Sequence, residues 1–94
     1  MPIRRLVLDV DMAVSEPSLP QLARAIEDVP GVQAVNISVT EIDIETIGTD
    51  VTIEGDDLDP WAVQRAIEHT GAVVHSTDEV VAGAFTLERT PRKR

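Results

Sequence analysis

The sequence predicts an α+β fold: a four-stranded antiparallel sheet with two helices on one face, in the chain order βαββαβ. Three observations predict it. The tetrapeptide Arg-Ala-Ile-Glu occurs twice, at Arg24–Glu27 and at Arg65–Glu68. Each copy lies in a run of helical periodicity, and each run leads through a glycine-containing break into β-branched residues. The chain of 94 residues is the length of one domain, so the two βαβ halves must share a single core.

The first strand is read at Ile3–Val10, where Leu6, Leu8 and Val10 alternate with Arg5, Val7 and Asp9. Asp11–Pro17 reads as a loop. Ser18 is a good N-cap, and Gln21 three residues on completes a capping box. Leu19, Leu22, Ile26 and Val29 then recur at helical spacing, with Pro20 tolerated in the first turn and Pro30-Gly31 stopping the helix.

Val32–Ile44 reads as a long strand. Val35, Ile37 and Val39 alternate with Asn36, Ser38 and Thr40, but Ile42 and Ile44 fall out of phase. A bulge near Thr40 accounts for the slip. Thr46–Thr49 reads as a turn, Val51 and Ile53 mark the third strand, and Gly55–Leu58 is a loop. Asp59 caps the second helix with Pro60 in its first position. Val63, Ala66, Ile67 and Thr70 line one side, and Gly71 ends it. The fourth strand starts at Val73 and runs to about Thr77, with Val80–Leu87 either extending it or forming a separate element.

Right-handed crossovers make strand one parallel to two and strand three parallel to four. The closure is the ferredoxin-like sandwich, strand order 4-1-3-2. Both helices then cover one face. The other face presents Arg5, Asp9, Asn36, Ser38, Thr40, Asp50, Thr52 and Glu54, to be solvated or covered by another subunit.

Composition narrows the chemistry. The apolar fraction is 43% but the aromatic fraction is 2%, so the core must be built from Val, Ile, Leu and Ala. The absence of cysteine excludes disulfides, thiolate metal sites and thiol catalysis. No apolar run reaches a membrane span, and the start lacks a signal-peptide core; the expected location is the cytoplasm, with no membrane partner. Seventeen acidic residues face eight basic ones, of which one is lysine, for a formal net charge of −9. Self-repulsion on that scale calls for salt or bound cations and fits a halophilic protein. It also argues against a nucleic-acid partner. The exception is the C-terminal tail, residues 89–94, which holds four of the eight basic residues and reads as a disordered end to a domain spanning 1–88.

In this topology one end of the sheet gathers Asp9 and Asp11, then Glu41, Asp43 and Glu45, then His75. In an extended strand Glu41, Asp43 and Glu45 share a face, with successive carboxylates roughly 6.5–7 Å apart. Such a row is either a solvated acidic edge or a site bridged by a cation, with calcium or magnesium suited to hard oxygen donors. A histidine beside them also admits zinc or manganese. The opposite end gathers Glu54, Asp56, Asp57, Asp78 and Glu79, where Arg4 and Arg5 can form salt bridges. Asp9, Glu41, Asp43 and His75 are the first-choice metal ligands, and Asp78 and Glu79 the second. His69 fits a helix C-terminus better than chemistry. No nucleophile elbow, phosphate loop, dinucleotide fingerprint or metalloprotease motif is present, so no catalytic residue is assigned.

The runs Ile3–Val10, Val35–Val39 with Glu41 and Asp43, Thr52–Gly55, and His75–Gly83 (His-Ser-Thr-Asp-Glu-Val-Val-Ala-Gly) carry a family resemblance. Together they resemble the archaeal family known as domain of unknown function 211. The resemblance implies a ferredoxin-like fold, a ring-shaped homo-oligomer and association with divalent metal, calcium in particular, and it implies no reaction. At Asp11–Ser15 the family tends to a Leu-Lys-Pro-His-like run, and this chain departs from it with Asp-Met-Ala-Val-Ser. Two further readings stand beside a calcium-binding ring: a regulatory module taking a small molecule at the subunit interface, by fold analogy, and a metal-assisted hydrolase with paired carboxylates.

Overall fold

A computed structural model describes residues 2–85 and Leu87; the basic tail at 89–94 lies outside the described residues. Its elements are β1 (Ile3–Ala13), α1 (Leu19–Glu27), β2 (Val32–Ile42), β3 (Thr46–Gly55), α2 (Pro60–His69) and β4 (Val73–Ala82). The strands form one antiparallel sheet in the order β2-β3-β1-β4, the predicted order read from the other edge.

The helices begin as their sequences require. Ser18 Oγ accepts from the Gln21 backbone N–H, and the Gln21 side chain accepts from the Ser18 N–H, closing the capping box. Asp59 accepts from the backbone N–H groups of Trp61 and Ala62. Gly31, at φ +92°, and Gly71, at φ +99°, follow the helix ends in conformations that a β-carbon would strain.

Leu22 and Ile26 of α1 and Val63 and Ile67 of α2 are buried against Leu6, Leu8, Val10 and Met12 of β1 and Val51 and Ile53 of β3. Each such side chain contributes about 1.5–3 kcal/mol of transfer free energy. The core is wholly aliphatic, as the composition demands. Trp61 and Phe85, the two large rings, stand outside it at 70% and 83% exposure. Thr49 is the polar residue enclosed on the helix side, and its hydroxyl donates to the Val10 carbonyl at 2.8 Å.

Three boundaries depart from the sequence reading. β1 continues through Asp11 and Met12 to Ala13, because Asp11 pairs with Gly48 and Met12 with Ile47. Thr46–Thr49 is the start of β3, and the turn lies at Ile44-Glu45, where Asp43 N–H donates to the Thr46 carbonyl at 2.8 Å. Asp43 and Glu45 therefore leave the extended row expected for them. β4 runs to Ala82, because Val80 and Val81 pair with Leu6 and Arg5; Gly83, at φ +127°, ends it.

The bulge read at Thr40 is present: Val39 faces Thr49 and Glu41 faces Gly48, leaving Thr40 as the extra residue. β4 carries two more. Glu79 faces Val7 while Thr77 faces Leu8, and Ser76 faces Asp9 while Val74 faces Val10, so Asp78 and His75 are the extra residues.

Candidate functional site on the open sheet face

The register lines up the open face in cross-strand rows. At one end Glu54, Arg5 and Val81 lie side by side from β3, β1 and β4. Next come Asn36, Thr52, Val7 and Glu79, then Ser38, Asp50, Asp9 and Ser76, then Glu41, Gly48, Asp11 and Val73. Polar strength changes sign along this series.

The first end is neutralised. Arg5 is 6% exposed although it is on the open face, and its guanidinium Nε donates to Glu54 at 2.8 Å and Nη1 to Glu79 at 3.4 Å. The Glu54 hydrogen bond, ahead of that to Glu79, holds the Arg5 proton more tightly than usual against the cost of burial. Arg4 bonds Asp56 and donates from Nε to the Gly83 carbonyl at 2.8 Å. Glu79, a second-choice metal ligand, thus sits on an arginine, as the salt-bridge expectation for this end required.

The other end gathers carboxylates. Asp9 faces Asp50 directly across β1 and β3, a placement in which like charges repel. Asp11 lies two residues along β1 on the same face, roughly 6.5–7 Å further. The absence of a side chain at Gly48 opens room beside it. A β-carbon there would stand 3.6 Å from Asp11 Oδ1, 3.6 Å from the Glu41 β-carbon and 3.4 Å from Thr40 Oγ1. From β4, the bulged His75 brings Nδ1 to 3.9 Å from Asp11 Oδ2. The second bulged residue, Asp78, accepts from the Ser76 hydroxyl at 2.7 Å.

The electrostatic result shows at Asp9. Burial pushes its carboxyl above the usual carboxylate range, Asp11, Asp78 and Asp50 push the same way, and His75 opposes them.

Asp9, Glu41 and His75 therefore border one acidic tract, with Asp78 beside it. Asp43 does not join it, because it lies at the hairpin closure. Two residues absent from the first-choice ligands are central. Asp11 touches the neighbourhood of both Glu41 and His75, and its signal was the Asp-x-Asp alternation at Asp9 and Asp11. Asp50 is placed by cross-strand register, which no local pattern encodes. Among the described residues, no three His, Asp or Glu side chains converge tightly enough to hold a metal ion as they stand. His75 and Glu41 stand on opposite edges of the sheet, three strand spacings or about 14 Å apart. Among the described residues no helix is long and apolar enough to cross a membrane.

Comparison with known proteins places the chain in a lineage. The family model DUF211, described as uncharacterized ArCR, matches residues 4–94. A relative, uncharacterized protein MJ0319 of the archaeon Methanocaldococcus jannaschii, is 45% identical over 94 residues, which cover 98% of this chain and 96% of the relative. The chain belongs to the DUF211 family.

Proposed function

We propose that this protein binds a divalent cation, calcium in type, on the open sheet face and works as a homo-oligomeric ring that the cation stabilises. The observation that carries the reading is the opposition of Asp9 and Asp50 with Asp11 alongside: three carboxylates held near one another by strand pairing. Their oxygens are hard donors of the kind calcium and magnesium take. A cation there would relieve the repulsion that disfavours the charged form of Asp9.

Asp9, Asp11 and Asp50 form the centre of the proposed site, with Glu41 and His75 on its flanks. Asp43, Asp78 and Glu79 serve it less directly, being respectively at the hairpin closure, bonded to Ser76 and bonded to Arg5. Calcium takes six to eight oxygens, and water or a neighbouring copy completes the shell around these carboxylates. Exposed apolar residues support self-association: Val14, Ile42 and Ile44 cluster toward the β2–β3 hairpin end, and Val73 and Val80 lie along β4. The cation acts electrostatically, and folding and assembly gain its binding free energy by linkage.

Calorimetric titration with calcium chloride, paired with sedimentation velocity in calcium and in chelator at fixed ionic strength, tests the proposal. Binding heat that disappears in an Asp9→Asn, Asp11→Asn variant, and assemblies that shrink in chelator, are the expected results. No heat and an unchanged sedimentation coefficient would sink it.

A further inference from the structure

We propose that the tip of the β2–β3 hairpin seats in the groove between α1 and β2 of a second copy of the chain, with Ile44 filling the groove and Glu45 meeting the partner's Arg24. The inference rests on the self-association reading and deepens it. It names the two surfaces that meet and makes them different, so that copies join head to tail.

The tip supplies the projection. Ile44 stands at 96% exposure, with Ile42 at 70% and Val14 at 49% on the neighbouring backbone. The backbone that carries Ile44 is tied down on both sides. Asp43 N–H donates to the Thr46 carbonyl at 2.8 Å, and Val14 N–H donates to the Glu45 carbonyl at 3.0 Å. A tip already ordered gives up less freedom when it docks.

The groove supplies the complement. Ala23, Arg24 and Glu27 of α1 and Ala34 and Val35 of β2 line a cavity of about 140 Å³. An apolar cavity of about 150 Å³ accepts benzene, and an isoleucine side chain is smaller than that. The hairpin of the same chain cannot fill it. Ala34 and Val35 stand near the start of β2 and Ile44 lies beyond its end, and the stretch from Val35 to Ile42 alone covers roughly 20 Å. An apolar projection and a matching pocket at opposite ends of one molecule make a heterologous contact, from which a ring closes when the rotation between copies allows it.

Charge sets which way round the tip enters. Among the described residues no ion pair engages Arg24, Asp43 or Glu45, whereas Arg4 and Arg5 are held by Asp56, Glu54 and Glu79. Arg24 on the groove wall is therefore available to an anionic side chain, and the tip brings one on each side of Ile44, Asp43 and Glu45. Glu27 lines the same groove and disfavours the orientation that would turn the carboxylates of the tip toward it.

The test uses the full chain, which has no native cysteine. Ile44→Cys and Ala23→Cys are prepared separately, mixed in calcium chloride and oxidised mildly; a disulfide forms only where the two β-carbons come within about 4.5 Å. The expected result is a cross-linked dimer in the mixture and none in either variant alone. Charge variants read the same contact without cysteine: Glu45→Arg and Arg24→Glu each lower the sedimentation coefficient, and the double variant restores it. Cross-linking of Ile44→Cys with itself to the extent seen in the mixture marks a two-fold contact and overturns the proposal. A parent chain that assembles by sedimentation while neither the cross-link nor the charge exchange registers also overturns it, and leaves the self-association reading standing. A parent that sediments as a monomer both in calcium and in chelator removes the two together.

Discussion

Arg5 lies opposite Glu54 across β1 and β3, and although both project from the open face the arginine is enclosed, with 2.8 Å from Nε to Oε2. Glu79 approaches the same guanidinium from β4, so one cation ties three strands together on the side that has no helices. Arg5→Ala removes the cation, the packing of its stem over the sheet and the partner of two carboxylates. Loss of a buried partner costs about 3–5 kcal/mol. Glu54 and Glu79 are partly exposed, which screens the loss to about 2–3 kcal/mol. Urea unfolding measures it, and Arg5→Met, which keeps the stem, recovers part.

Asp9 yields a pH prediction whose sign follows from its raised pKa. An aspartate that holds its proton more tightly folded than unfolded favours the fold below the ordinary carboxylate pKa. That contribution is lost as pH rises from the unfolded value through the raised folded one. Asp9→Asn is therefore more stable than the parent at pH 7, and the gap closes as the pH falls below the carboxylate range. Paired urea curves across that window check it; a variant less stable than the parent at neutral pH would contradict the assignment.

Gly55 is required for space. A β-carbon at this position would collide with the Gly31 carbonyl oxygen and stand 2.7 Å from Leu58 Cδ2. Backbone on one side and core on the other leave no relaxation, so Gly55→Ala costs more than the 1–3 kcal/mol of ordinary overpacking. Circular dichroism melting reads the loss directly, and Gly48→Ala, whose nearest neighbours are 3.4 Å or more away, serves as the mild comparison.

Ile44 stands at 96% exposure on the β2–β3 turn. Replacing it with serine shifts monomer stability by no more than about 0.5 kcal/mol. If the hairpin end is an assembly surface, the same change lowers the sedimentation coefficient at a given protein concentration. An unchanged coefficient removes Ile44 from the interface.

Ser18→Ala removes the side-chain half of the capping box and costs about 1 kcal/mol, measurable as a shift in urea midpoint with an unchanged slope.

How much of this was legible in the sequence follows from the range of the forces involved. Ser18, Asp59, Pro60 and the two helix-ending glycines act within one turn, and they mark the helices where the structure has them. The phase slip after Val39 announced the Thr40 bulge for the same reason. The β2–β3 hairpin was harder. Gly48 resembles a turn residue, yet it sits in a strand, where its bare backbone makes room for Asp11 and Thr40. The turn itself, Ile44-Glu45, has no glycine or proline to mark it. Asp11 was placed in a loop because Asp-Met-Ala lacks β-branched residues, and only pairing with Gly48 keeps it extended. The opposition of Asp9 and Asp50 depends on register between segments forty residues apart, so composition located the excess acid while tertiary structure decided which carboxylates meet.

The extra residues in the outer strands, Gln33 and Thr40 in β2 and His75 and Asp78 in β4, bear on solubility. A stray extended peptide arriving at either border would find its hydrogen-bond ladder interrupted, and at β4 it would meet negative charge as well. Among the described residues both outer strands have an unpaired border, and such borders around an aliphatic interior would otherwise invite fibrillar stacking. The interruptions let the molecule keep those borders accessible without polymerising through them.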